Sequence, residues 1–100
     1  MADVVWTPRA LADLQAIGAY FAETSPGYAE RLVRLLSRAT DRLEVFPASG
    51  RIVPEVCDAA FREVIHRNYR TATMHLADDD RVEVLTVFHA SRQFGAPPSE

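Results

Sequence analysis

The sequence predicts an α+β domain in the order β-α-α-β-β-β, with an N-terminal strand and a helical hairpin packed on an antiparallel sheet. Three observations carry that expectation. Apolar residues recur at helical spacing through the first half of the chain. Beyond Gly50 the pattern becomes extended and rich in Val, Ile, Thr and aromatics. The breaks between runs carry the cap and turn chemistry of short connections. A chain of 100 residues suits one hydrophobic core, so residues 1–94 are read as a single domain and 95–100, with Pro97-Pro98, as a flexible tail.

Val4-Val5-Trp6 is a short β-prone start. Thr7 can cap a helix and Pro8 suits its first position. Leu11, Leu14, Ile17 and Phe21 then follow at helical spacing, with Asp13, Gln15 and Glu23 off the stripe. Thr24-Ser25-Pro26-Gly27 interrupts the pattern, and Ser25-Pro26 repeats the start signal. Leu32, Leu36, Ala39, Leu43 and Phe46 form a second periodic run, stopped by Pro47 and Gly50. A short linker between two helices predicts an antiparallel hairpin, with Leu14, Ile17 and Phe21 facing Leu32, Leu36 and Leu43 or the sheet. Arg31, Arg34, Arg38 and Arg42 fall on the far side of the second run, where pairs such as Glu30–Arg34 and Arg38–Asp41 suit a solvated face. Phe61–His66, Tyr69–Leu76 and Arg81–His89 read as strands, joined by a two-residue turn at Arg67-Asn68 and a three-residue turn at Asp78–Asp80. The first strand is expected to join this meander, and the hairpin to cover one face.

Composition removes several functions. The formal net charge is −3, and all eleven basic residues are Arg, so chemistry that needs a lysine is excluded and no basic surface for sequence-specific DNA binding is expected. Cys57 is the single cysteine and closes no internal disulfide, which fits a reducing compartment. No apolar run approaches the roughly 20 residues of a membrane span. There is no Gly-rich phosphate loop and no paired His/Cys spacing, and His66, His75 and His89 stand too far apart in sequence to suggest a ligand set; neither cofactor nor metal is expected. Asp78–Asp80 reads as turn chemistry, since calcium loops spread their ligands over about twelve residues.

One group stands out. Glu55, Arg62, Arg70, His89 and Arg92 come from the loop before the sheet and from successive strands. Glu as base, Arg as transition-state stabiliser and His as acid would suit RNA cleavage through the 2′-hydroxyl. The alternative is structural: Glu55 and Glu63 pair with Arg51, Arg62 or Arg70 across neighbouring strands.

Trp6-Thr7-Pro8-Arg9-Ala10-Leu11-Ala12-Asp13-Leu14, Pro47-x-x-Gly50-Arg51-Ile52-Val53-Pro54-Glu55, Arg62-Glu63-Val64, Asn68-Tyr69-Arg70 and Val84-Leu85-Thr86-Val87-x-His89-x-x-Arg92 resemble, in that order, the words of the ParE branch of the RelE/ParE toxin superfamily. The resemblance spans about residues 4 to 94. It implies the same β-α-α-β-β-β fold and a cytoplasmic bacterial toxin of a type II toxin–antitoxin pair, of the kind associated with plasmid stabilisation. It also implies a ParD-like, ribbon-helix-helix antitoxin partner, expected on the apolar hairpin at Leu14, Ile17, Phe21, Leu32 and Leu36. ParE-like members are associated with poisoning DNA gyrase, and RelE-like members cut mRNA on the ribosome. Carried over by position, Glu55, Arg70 and His89 resemble the acid–base and phosphate-binding set of one nuclease subgroup. Ala90 replaces the aromatic that often follows the histidine there, and the lysines of many nuclease members are absent. Thr71-Ala72-Thr73 departs in turn from the Ile-x-Tyr usual in ParE. The expectation is therefore a gyrase inhibitor that works by binding, without catalytic residues, through Arg51, Glu55, Arg62, Arg70, His89 and Arg92. A ribosome-dependent mRNA endonuclease using Glu55, Arg70 and His89 is the alternative.

Overall fold

The computed structural model describes residues 1–92 and 94, so the tail expected at 95–100 lies outside the described residues. Strand β1 (Asp3–Trp6) leads into helices α1 (Pro8–Ala22) and α2 (Pro26–Arg38). A 3-10 turn at Asp41–Glu44 follows, then β2 (Arg51–Ile52), β3 (Phe61–His66), β4 (Tyr69–Leu76), a 3-10 turn at Ala77–Asp79 and β5 (Arg81–His89). The sheet order is β1-β5-β4-β3-β2, antiparallel except where β1 lies parallel to β5. The expected α+β order is present, with one addition: the short strand β2, in a stretch expected to be loop. Gly50 explains it. Its φ is +94°, and a Cβ there would overlap the Glu63 carbonyl oxygen, so only glycine lets the chain turn close enough for Arg51 and Ile52 to pair with β3.

The cap signals are used unequally. The Thr7 hydroxyl accepts from the Ala10 N–H at 3.2 Å and donates to the Val84 carbonyl at 2.8 Å, fastening the start of α1 to β5. Ser25 precedes Pro26 as expected, yet its hydroxyl caps nothing. The second apolar run does not continue as one helix to Phe46. The Thr40 hydroxyl bonds back to the Ser37 carbonyl at 2.8 Å and the chain tightens into the 3-10 turn. Leu43 is thereby carried into a separate cluster with Ala2, Val64 and Val82, and Phe46 is left 64% exposed.

The main core joins Leu14, Leu32, Leu36 and Val87, with Trp6, Ile17, Phe21, Tyr28 and Tyr69 packed around it. Gly18 sits where the helices touch: a Cβ there would come within 3.0 Å of the Val33 side chain. A bulge in β5 decides which residues share a face. Ala72 pairs with Thr86 but Thr73 with Val84, so Leu85 is extra. In a regular strand, three residues of strict alternation would put Val84 and Val87 on opposite faces; the bulge takes Leu85 out of the count. With it, both are buried. The Asp13 carboxylate of α1 accepts the Val87 N–H at 3.1 Å and the Thr86 hydroxyl, supplying partners where β1 has ended.

Candidate functional site

The two faces of the sheet carry different chemistry. On the face away from the helices, the register Glu63↔Ala72 and Ile65↔Arg70 places Glu63 diagonally beside Arg70. The Arg70 Nε donates to the Glu63 carboxylate at 2.9 and 3.2 Å, and Nη2 donates to Glu63 Oε1 at 2.5 Å. Nη1 and Nη2 also grip Glu55 at 2.9 and 2.7 Å, and Nη1 reaches the Arg92 carbonyl at 3.1 Å. Arg51 closes the other side of Glu63 at 2.7 Å. The guanidinium lies 4.8 Å over the Phe88 ring. Guanidinium offers five N–H groups, and these contacts engage all of them.

This geometry sets the charges. Hydrogen bonds from Arg70, then the Phe94 backbone N–H at 3.0 Å, hold the Glu55 carboxyl at about 2, well below its ordinary value. The bond to Glu55 raises the Arg70 pKa above its ordinary value. The Arg70 and Glu63 side chains are 7% and 0% exposed, and Glu55 is 26% exposed.

His89 is elsewhere. Tyr69 and His89 are a β4–β5 pair, their rings 5.6 Å apart and edge-to-face, while the neighbouring pair Arg70 and Phe88 meets on the other side. His89 therefore faces the helices, at the rim of a groove of 690 Å³ lined by Ile17, Tyr20, Phe21, Tyr28, Tyr69 and His89 among others. Its Nδ1 accepts the Ser91 N–H at 3.1 Å, which leaves the proton of the neutral ring on Nε2. Burial pushes the Tyr69 phenol up.

Of the residues singled out in the sequence, Arg51, Glu55 and Arg70 come together, with the Arg92 backbone. Arg62 does not join them; it bonds the Ala59 and Gly50 carbonyls at 2.9 and 3.4 Å. His89 is separated from Glu55 and Arg70 by the sheet. The carboxylates pair with arginines across strands, as the structural alternative expected. Leu14, Leu32 and Leu36 are buried at 8%, 2% and 0% exposure and hold the hairpin to the sheet, so in this chain alone they offer no partner surface. Ile17 and Phe21 are half-buried and line the groove. Sequence reasoning undervalued Glu63, although a two-residue turn at Arg67-Asn68 already sets the register that puts it beside Arg70. It also missed Phe88 and Asp13, because the bulge that orients their contacts leaves no mark in the alternation. Among the described residues, no three metal-ligating side chains converge and no helix is long and apolar enough to cross a membrane.

Comparison with known proteins agrees with this fold. A family model described as the ParE toxin of the type II toxin–antitoxin system parDE matches residues 4–94. Toxin RelE2 of Caulobacter vibrioides is 38% identical over 92 residues, covering 92% of this chain and 99% of that protein. Among solved structures, the chromosomal ParDE system of P. aeruginosa aligns with a TM-score of 0.74 at 19% identity, over 89% of this chain and 96% of that one. The intact E. coli RelBE toxin–antitoxin complex aligns with a TM-score of 0.52 at 18% identity, over 92% and 100%. The match across nearly the whole length establishes that the chain belongs to the ParE toxin family of type II toxin–antitoxin systems, within the RelE/ParE superfamily.

Proposed function

We propose that this toxin acts by binding, engaging bacterial DNA gyrase and trapping its cleaved-DNA state, and performs no covalent chemistry itself. The observation that carries this reading is the state of the nuclease-like set. Every N–H of Arg70 is engaged within the protein, so none is left for a scissile phosphate. A carboxyl held at about 2 is a weak proton acceptor. The only imidazole of the set lies across the sheet from both. What remains for a macromolecular target is surface, above all the Arg51–Glu55 loop, where the Arg51 side chain is 55% exposed. Buried Arg70 supports that surface from beneath.

The partner is a ParD-like antitoxin. Its natural seat is the groove beside the hairpin, where Ile17 and Phe21 are half-buried and Tyr20 is 71% exposed. An amphipathic helix with apolar anchors would cover such a groove. The buried leucines next to it would contribute by holding the groove's wall.

Purified toxin is tested in two assays, gyrase supercoiling with trapping of cleaved DNA, and translation on programmed ribosomes with mapping of mRNA ends. Supercoiling should fall and cleaved DNA accumulate, while mRNA stays intact. His89→Gln should keep most of its growth inhibition, and Arg92→Ala should lose more. Ribosome-dependent mRNA cuts, lost by a general acid–base factor of roughly 10²–10⁴ in His89→Gln, would overturn the reading in favour of a nuclease.

A further inference from the structure

We propose that Glu55 is a positioning residue: with Arg70 it clasps the Arg92 carbonyl and Phe94 onto the outer face of the sheet, setting Phe94 in one surface with the Arg51–Glu55 loop. Strand β5 ends at His89, and the last ladder-like bond beyond it is the Ala90 N–H to the Asn68 carbonyl at 2.6 Å. The Arg92 N–H closes only a local turn on the His89 carbonyl at 3.0 Å. From there the backbone is held by side chains. Arg70 Nη1 takes the Arg92 carbonyl at 3.1 Å, and Glu55 Oε2 takes the Phe94 N–H at 3.0 Å. One ion pair thus captures an acceptor and a donor of the same short segment.

A tilted ring contact completes the clasp. The Phe94 ring lies 6.3 Å from Phe88, tilted at 58°, and Phe88 in turn supports the Arg70 guanidinium. Both backbone bonds have a charged partner, which makes them about twice as strong as neutral ones. They span 22 and 39 residues of sequence, so they fix a position that local turn chemistry cannot. Glu55 then shapes the surface through the backbone that it holds. The clasp extends the binding reading but does not depend on which target is engaged, and its test reads no toxicity.

The test is amide hydrogen exchange by NMR on the full chain, comparing Phe94 with Val87, whose N–H is held by Asp13 outside the clasp. Glu55→Ala should speed exchange at Phe94 roughly 10- to 100-fold, and at Val87 clearly less, by no more than the variant's loss of global stability. Glu55→Gln, which keeps one amide oxygen as acceptor, should fall between. In the wild type, the Phe94 amide proton shift should follow the titration of the Glu55 carboxyl, a signature that simple loss of stability does not produce. Unchanged Phe94 exchange in Glu55→Ala overturns the clasp. So does acceleration equal at Phe94 and Val87, or a Phe94 shift that ignores that titration. Should Glu55→Ala fail to fold, the Gln variant and the wild-type titration decide.

Discussion

The two faces of one sheet are held down by opposite means. Toward the helices, Leu14, Leu32, Leu36 and Val87 interlock with aromatic neighbours, and the force is removal of apolar surface from water. Away from them, among the described residues, no helix supplies apolar cover. The loop carrying Glu55 and the backbone at Arg92 and Phe94 are fastened instead through Arg70 between two carboxylates. The first kind of contact is non-directional and tolerates repacking at constant volume. The second is directional, depends on each partner, and responds to pH and salt. Both faces therefore stabilise the fold, but only the charged one also fixes where each side chain sits.

The largest effect is expected on the charged face. Arg70→Ala leaves the buried Glu63 carboxylate with Arg51 alone and should cost about 3–5 kcal/mol by urea unfolding. The double change Glu63→Leu with Arg70→Met should recover most of that loss, because well-packed apolar residues can replace a buried ion pair. If Arg70→Ala costs under about 1 kcal/mol, the network is a surface feature and the contrast between faces fails.

On the apolar face, Leu36→Ala, at a position with 0% exposure, should cost on the order of 2–5 kcal/mol, with little dependence on salt. A change below about half a kcal/mol would put Leu36 on the surface. Acid separates the faces more finely. Glu55 has a folded pKa lowered from 4.5 to about 2, so its contribution is fully present above about pH 4.5 and is lost as pH falls toward 2. Solvent reaches this carboxylate, so a screened loss on the order of 1–2 kcal/mol is expected in acid unfolding curves. Glu55→Gln should flatten that part of the curve and leave Leu36→Ala's penalty untouched. The smallest effect is Thr7→Ala, which removes the α1 cap and a bond to β5 and should cost about 1 kcal/mol by thermal unfolding.

Helices, strands and turns were legible in the residues because their signals are local. Thr7-Pro8, Ser25-Pro26, Arg67-Asn68 and the change from helical to extended spacing at Gly50 each act within a few residues of chain. The core leucines were legible for the same reason, since Leu14, Leu32 and Leu36 lie on stripes that only burial satisfies. The sequence alone also excluded lysine chemistry and an internal disulfide. Three things belonged to the tertiary structure. Thr40 ended α2 early, because a hydroxyl competing for one carbonyl is decided by where Leu43 packs. The extra Leu85 in β5 changed which residues share a face, setting His89 on the helix side and Phe88 under Arg70; a bulge of one residue is invisible to a period of two. Glu55 proved to be tied to Arg70 and Phe94, 15 and 39 residues away, because charges of opposite sign find partners through register and loop closure. Residue types can propose a base, an acid and a cation, but only the fold determines whether they meet on one face of the sheet or are divided by it.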